Sequence, residues 1–416
     1  MAIFARRDRV SRVGLAVARQ RRARAASRAG GDVMLQRSGR TVVIITCEYA
    51  PFAGGIGTYS VELARALADA GCCVVVVAPA YDAGTAALPE EVEHHLILRH
   101  HAIPPRAVLA LLAILRRLPA GAIVLAADIR SLLLVRMLQP LHHRRYRVMV
   151  HGSEASKFRR GGVMFAAARN AYLGAELVAY NSRATRDIFR AQLGQPRREA
   201  ITYLGVGGDW FDPPARGVFG DPALAALPQH APLFCSVGRL EPRKGHVETL
   251  AALAMARDRH GMVDPVYVVI GRAEDDGYAR AIRDAARDVG VRIVMPGRLS
   301  IDDIKRVYRR AAAHLLFARA LPGKIEGFGL VLLEAAAQGC PSIAAATGGI
   351  PEVLGDTGSL VADGDIESFA AKIAMYAGDA ALRAECGAAA RDRASGFTWA
   401  KCARDSVPEL LGGISA

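Results

Sequence analysis

Two stretches in the second half of the chain carry residue types suited to holding an anion. The first is Ser236-Val237-Gly238-Arg239-Leu240-Glu241-Pro242-Arg243-Lys244-Gly245. Arg239 and Lys244 flank a turn directly after a strand-like run, and two cations at a strand's carboxyl end suit a phosphate or diphosphate. Gly238 and Gly245 would let the backbone come close. Taken alone, a solvated basic loop explains this stretch equally well. The second stretch is Glu326-Gly327-Phe328-Gly329-Leu330-Val331-Leu332-Leu333-Glu334. Gly327 and Gly329 make a flexible turn into a helix that Gly339 ends, and a helix N-terminus presents amides and a positive dipole end to an anion. Glu326 falls in the loop, and Glu334 about one turn inside the helix, roughly 6 Å further along. Glu334 interrupts an apolar run, where a carboxylate needs a partner such as ligand hydroxyls. A surface Glu and a capping Glu are the plain alternative. A third glycine loop, Thr347-Gly348-Gly349-Ile350-Pro351-Glu352, follows the strand-like run Ser342–Ala345. Three such loops in one domain, with two cations and two carboxylates, exceed what turns alone explain.

The elements that must carry these loops are legible as short β-branched runs alternating with helical patterns. In the first half, Val42–Thr46 is followed by the turn Gly54-Gly55-Ile56-Gly57, a helix over Thr58–Ala70 and a second strand, Val74–Pro79. Further strands are expected at Ile123–Ala126, Arg147–Val150, Leu177–Tyr180 and Ala200–Tyr203. Gly205–Pro214 reads as a linker. The theme restarts at Leu233–Val237 and recurs at Val266–Ile270, Arg292–Met295, His314–Phe317, Ser342–Ala345 and Ser359–Ala362. The expected fold class is α/β, with two doubly wound Rossmann-like domains in series facing across a cleft. The expected division is a basic extension over 1–40, a first domain over 41–212, a second over 213–390, and a closing helical segment over 391–416 that returns to the first domain. Ligands in such sheets bind beyond the carboxyl ends of the strands.

These motifs together resemble the retaining GT-B glycosyltransferases of glycosyltransferase family 4. Glu326 and Glu334, with seven residues between them, are similar to that family's EX7E motif. Val237-Gly238-Arg239 and Lys244-Gly245 resemble its donor-phosphate loop, and Gly54-Gly55-Ile56-Gly57 its N-domain glycine loop near the acceptor. His151-Gly152-Ser153-Glu154, Asn181-Ser182, Gly205-Val206-Gly207 and the closing Phe397 and Trp399 also fall where the family has matching segments. The resemblance spans about residues 41–400. It implies that Arg239 and Lys244 hold a nucleotide diphosphate and stabilise its departing charge, and that Glu334 binds the ribose hydroxyls. It implies further that Glu326 binds the donor sugar with the amides of Gly327, Phe328, Gly329 and Leu330, that His151 lines the reacting centre, and that Gly54, Gly55 and Gly57 approach acceptor or phosphate. The implied reaction moves a sugar from a UDP- or GDP-sugar to a glycan or lipid-linked acceptor in cell-surface polysaccharide or glycolipid synthesis. No metal and no cofactor is implied. The chain departs from the family at Leu204-Gly205-Val206-Gly207, at Cys72, and in the longer stretch Ala320–Ile325 before Glu326, where Lys324 reads as solvated.

Charge and composition bound the rest. The chain has 416 residues, 52% of them hydrophobic, with a net charge of +14. Eleven Arg against two Asp put +9 on residues 1–40, the next 170 residues carry +6, and residues 211–416 sum to −1. Residues 1–40 are compatible with a transit peptide, a nucleic-acid or membrane arm, a segment without a role, or an over-long start before Met34. No secretory signal is expected, and no membrane span, because Arg116 and Arg117 interrupt the best apolar run. The seven cysteines read as buried, reduced thiols of a cytoplasmic protein. The pairs His94/His95, His100/His101 and His142/His143 read as basic surface rather than metal ligands. Nine Arg and one acid between His94 and His151 suggest an anionic membrane face as a partner, with Val108, Leu109, Leu111, Leu112, Ile114 and Leu115 beside it. Other GT-B chemistry, a sugar-nucleotide epimerase or a phosphorylase, is the enzymatic alternative. A nucleotide- or nucleic-acid-binding protein is the non-enzymatic one, and it leaves Glu326 and Glu334 without a use.

Overall fold

A computed structural model describes residues 40–411, apart from 52–53, 82–87, 100–102, 153, 155–160, 216 and 274. All but the last residue of the basic extension, His100, His101 and Ser153 lie outside the described residues. The chain forms two compact units, one of Met1–Arg147 with Glu409–Ala416 and one of Val148–Pro408.

The first unit is built on four parallel strands in the order β3-β2-β1-β4: β1 (Thr41–Ile45), β2 (Cys73–Pro79), β3 (Glu93–Leu98) and β4 (Ile123–Ala126). Every residue of β1 and β2 is buried, as their unbroken Val/Ile runs demand of strands covered on both faces. The first helix spans Gly55–Asp69, so it begins at Gly55 and not at Thr58. Gly54 is extended and its carbonyl accepts the Thr58 amide at 2.9 Å, which draws Gly55, Ile56 and Gly57 into the first helical turn. The glycine turn expected there is therefore mostly helix. Strand β3 was not foreseen, because its His94 and His95 look like surface. Instead His94 Nε2 lies 2.9 Å from the Tyr49 hydroxyl and His95 Nε2 2.7 Å from the Glu93 carboxylate. His142 is buried, with Nε2 3.2 Å from the Val135 carbonyl. Burial lowers the pKa of both His94 and His142. The basic-surface reading thus fails for His142, while His94 and His95 are half-buried in the contacts above. At the chain's end, Glu409 pairs with Arg147 at 2.7 Å.

After β5 (Tyr146–Val150), the second unit holds the parallel pair β6 (Leu177–Tyr180) and β7 (Glu199–Ile201). It also holds a six-stranded parallel sheet in the order β10-β9-β8-β11-β12-β13. These strands are β8 (Leu233–Val237), β9 (Val266–Ile270), β10 (Arg292–Gly297), β11 (Ala313–Leu316), β12 (Ser342–Ala345) and β13 (Ser359–Val361). The order reverses between β8 and β11, and the loops leaving those two strands carry the two stretches singled out above. A ligand crevice forms at such a switch point. One face of this sheet buries Phe234, Tyr267, Leu253, Phe317 and Phe369, and the other Leu233, Val266, Val307, Tyr308 and Ala335.

Gly205–Pro214 is not a slack linker. It contains a 3-10 turn over Gly208–Phe211. Its carbonyls are tied by Lys305 to Asp209 at 2.6 Å, Gln338 to Asp212 at 2.9 Å and Arg391 to Phe211 at 2.7 Å. All seven cysteines are free thiols, six of them buried. No helix among the described residues is long and apolar enough to cross a membrane.

In the first unit, the buried Asp128 carboxylate caps the helix Ile129–His142 through the amides of Arg130 and Ser131, and also accepts the Cys47 amide at 2.6 Å. Asp128→Ala removes the cap and strands a buried amide together. It is expected to cost about 2 kcal/mol, read as a lower urea midpoint with an unchanged slope.

Candidate active site

The site starts from one buried carboxylate. Glu326 Oε2 accepts from Lys244 Nζ at 2.7 Å and from Arg243 Nη1 at 2.6 Å. Arg243 also donates to Glu241 at 2.6 Å, so the loop after β8 and the loop after β11 are joined by four charged side chains. Burial alone would raise the Glu326 pKa, but Lys244 and Arg243 outweigh it and hold the group down at about 2. Arg243 is the functional candidate that sequence reading missed. The signal was present, since it is a third cation in the same loop, but only the structure shows it turned onto Glu326. Arg239 lies in that loop and is exposed.

Close backbone contacts set the spacing around Glu326. A Cβ on Gly327 would stand 1.9 Å from the His151 carbonyl oxygen, so only glycine permits the two main chains to pack this tightly. Gly348 has φ +54° and meets the Glu326 carbonyl in the same way. The His151 carbonyl also accepts from Asn181 Nδ2 at 2.9 Å, and the Asn181 Oδ1 accepts from the Thr185 hydroxyl at 2.8 Å. The His151 amide donates to the Glu154 carboxylate at 2.6 Å. His151 and Glu326 thus belong to one backbone assembly. Phe328 is buried, stacked 6.0 Å from Tyr203 and edge-on to Phe397, also at 6.0 Å. Glu352, from the third glycine loop, caps the helix Arg183–Leu193 through the amides of Arg183 and Ala184 and accepts from the Tyr203 hydroxyl at 2.9 Å. Its charge is consumed in holding the frame.

The helix Leu330–Ala337 begins after Gly329, whose φ is +91°, and no side chain caps it. Its first amides and dipole are therefore available to an anion. Glu334 stands one turn in. It has no hydrogen-bond or ion-pair partner among the described residues, and burial, then the nearby Asp209 charge, push its carboxyl up to about 7. Glu334 is half-buried. Beside the loop after β8, a cavity of about 770 Å³ is lined by Leu240, Gly271, Arg272, Gly297 and Arg298 among others. Deeper in the sheet, His246 and His314 are buried and held neutral, lowered to about 3 by burial and then by Lys244. Lys324 is exposed in a turn with Leu321, Asp275 caps a helix through the Gly277 amide, and the buried Asp303 carboxylate accepts from the Gly220 amide and from Arg306. Gly54, Gly55 and Gly57 are in the first unit, at the start of its first helix.

Residues 223–393 match the model of the glycosyl transferases group 1, and residues 53–206 match that of glycosyltransferase family 4. The two matches together span well over half of the chain. The chain belongs to glycosyltransferase family 4. Among curated relatives, the D-inositol 3-phosphate glycosyltransferase of Corynebacterium kroppenstedtii is 35% identical over 212 residues, 49% of this chain and 44% of that one. That of Streptomyces avermitilis is 30% identical over 250 residues, 58% of this chain and 52% of that one. The chain thus spans about half the length of the curated relatives it matches. Sucrose-phosphate synthase from Thermosynechococcus elongatus superposes with a TM-score of 0.69 at 20% identity, covering 90% of this chain and all of that one. Anabaena HepE in complex with UDP and glucose gives 0.70 at 18% identity, with the same coverage. At that identity the likeness establishes the fold, which is GT-B with two parallel-sheet Rossmann-like domains.

Because Glu326 has its pKa depressed from an ordinary 4.5, the stability it contributes is present above pH 4.5 and is lost as pH falls from there toward 2. Glu326→Gln is expected to cost about 3–5 kcal/mol at pH 7 by leaving two buried cations short of a partner. It should also flatten this acid step, as seen in urea titrations at pH 7, 4.5 and 3.

Proposed function

We propose that the chain transfers a sugar from a nucleotide-sugar donor to a hydroxyl acceptor with retention of anomeric configuration. The observation that carries this reading is the Lys244–Glu326–Arg243 cluster at the strand-order switch, beside an uncapped helix start. A diphosphate placed between Lys244, Arg239 and the first amides of Leu330–Ala337 meets positive charge from three directions. The base fits the neighbouring cavity by Leu240 and Gly271, and the ribose hydroxyls meet Glu334. HepE, which shares the fold, was captured with UDP and with UDP-glucose, which supports a nucleotide-sugar donor here. When a diphosphate draws on Lys244, Arg243 keeps Glu326 ionised and in place to accept from the sugar's hydroxyls.

In the step itself, the bond from the anomeric carbon to the diphosphate oxygen breaks and the acceptor oxygen bonds to that carbon on the same face. The acceptor's proton passes to the leaving phosphate oxygen. Lys244, Arg239 and the helix amides carry the developing charge, so the reading needs no metal ion, and activity should survive EDTA. The acceptor in this reading is a glycan or a lipid-linked molecule of cell-surface polysaccharide or glycolipid synthesis, met at the cytoplasmic membrane face. Support for the membrane comes from the helix Pro105–Arg117, which buries Ala107, Leu111 and Leu115 yet leaves Leu109 70% exposed near Arg116 and Arg117.

Glu334→Ala should lower turnover of a UDP- or GDP-sugar at least 100-fold while the thermal midpoint moves by only a few degrees, and Lys244→Ala should lower turnover as far while also destabilising the fold, because it leaves the buried Glu326 with Arg243 alone. Unchanged turnover would remove these residues from the site. The anomeric configuration of the product, read by NMR, tests retention. Since the free Glu334 carboxyl titrates near 7 and ribose hydroxyls prefer its ionised form, donor affinity should rise about tenfold from pH 6 to pH 8. Calorimetry on Glu334→Gln should show that rise abolished.

A further inference from the structure

Glu352 joins the third glycine loop to the start of the helix Arg183–Leu193, 168 residues earlier in the chain. That helix has a cap of its own, since the Ser182 hydroxyl accepts the Thr185 amide at 3.0 Å. A single cap of this kind leaves other amides of the first turn open. The Glu352 carboxylate takes two of them, Arg183 at 2.9 Å and Ala184 at 3.0 Å. The Tyr203 hydroxyl adds a third bond at 2.9 Å. Arg393 fixes the other end of the residue. It donates to the Glu352 and Val353 carbonyls at 2.8 and 2.7 Å, and its guanidinium lies 5.6 Å from the centre of the Phe397 ring.

The links on either side of Glu352 close into a ring. On one side, the Gly349 amide donates to the Glu326 carbonyl at 3.0 Å, and Gly348 packs on the same carbonyl. On the other side, the helix start follows directly from Asn181, which is buried and donates to the His151 carbonyl at 2.9 Å. That carbonyl lies against Gly327, the neighbour of Glu326. The ring is tight at its centre. A Cβ on Gly349 would stand 2.3 Å from the Gly327 carbonyl oxygen and 3.0 Å from the Ser182 Cβ. None of these links uses Lys244, Arg239 or the first amides of Leu330–Ala337, the groups assigned above to the diphosphate. Loosening Glu352 therefore shifts the wall that carries His151 against Glu326, and it leaves the nucleotide's contacts in place.

We propose that Glu352 is a positioning residue, which holds His151 and Asn181 at the distance from Glu326 that the sugar needs during transfer. This role rests on the transferase reading above. The full-length protein is compared with its Glu352→Gln and Tyr203→Phe variants by turnover of a UDP- or GDP-sugar, by calorimetry with UDP, and by amide hydrogen exchange. In Glu352→Gln an NH2 group faces a helix amide, and kcat is expected to fall about 100-fold while the donor KM and the UDP Kd stay within about twofold. Tyr203→Phe leaves both helix amides satisfied and should lower kcat about threefold with the same split. Exchange in Glu352→Gln should quicken about tenfold at 181–185 and at 326–329 together, although neither segment is altered. Loss of UDP affinity in step with turnover, an unchanged kcat, or quicker exchange confined to 181–185 would each overturn the proposal. Joint quickening of both segments in a protein that turns over no nucleotide-sugar would leave the link through Glu352 standing, and would remove the transferase reading on which its catalytic use rests.

Discussion

The second unit is organised around a buried negative charge that two cations share. A carboxylate removed from water is costly unless it is fully paired, and Glu326 is paired by Lys244 and Arg243 from the loop after the neighbouring central strand. That requirement fixes where both loops run. The close passage of Gly327 along the His151 carbonyl, the seat of Phe328 between Tyr203 and Phe397, and the start of the helix at Leu330 all follow within four residues of Glu326. The surrounding frame is stiff for a related reason. Glu352 spends its charge on two helix amides and a tyrosine hydroxyl, and Arg391, Gln338 and Lys305 bind the carbonyls of the segment 209–212. Glu334 and the helix start are polar groups that no side chain here partners, and these are the places where a ligand would supply one.

The contrast between Glu326 and Glu334 shows how one helix entry can hold two acids in different states. They are eight residues apart. One lies against two cations and stays charged far below neutral pH. The other faces only another negative charge, Asp209, and waits near its midpoint. The unpaired acid is the one whose charge a ligand can change, and the paired one is the one whose position a ligand can rely on.

Much of this was legible in the chain. Ten of the strands announced themselves as short Val/Ile-rich runs to within a residue or so, because strands buried on both faces leave no room for polar alternation. The two carboxylates and Lys244 were visible from residue type and spacing. What escaped has physical causes. Strand β3 has the sequence Glu93-His94-His95-Leu96-Ile97-Leu98, and its half-buried histidines are held by partners, Tyr49 and Glu93, that composition does not reveal. Arg243 looked solvated because its partner is 83 residues away. The glycines of Gly54–Gly57 suggested a loop, but glycine in a first helical turn costs little when the preceding residue is extended and caps it. The segment Gly205–Pro214 has a linker's composition, and only its anchoring by three distant side chains makes it rigid.

The main-chain contact between Gly327 and His151 bears on how such a protein can diversify. Where side chains meet, a substitution at one position can be absorbed by its neighbour, and specificity drifts in small steps. Where two backbones meet with no Cβ between them, no graded variation exists, and the position is either kept or lost. Evolutionary change in what this centre accepts must therefore enter from the periphery, through walls such as Arg272 and Arg298 on one side or the loop lengthened over Ala320–Ile325 on the other, while the axis they surround stays fixed.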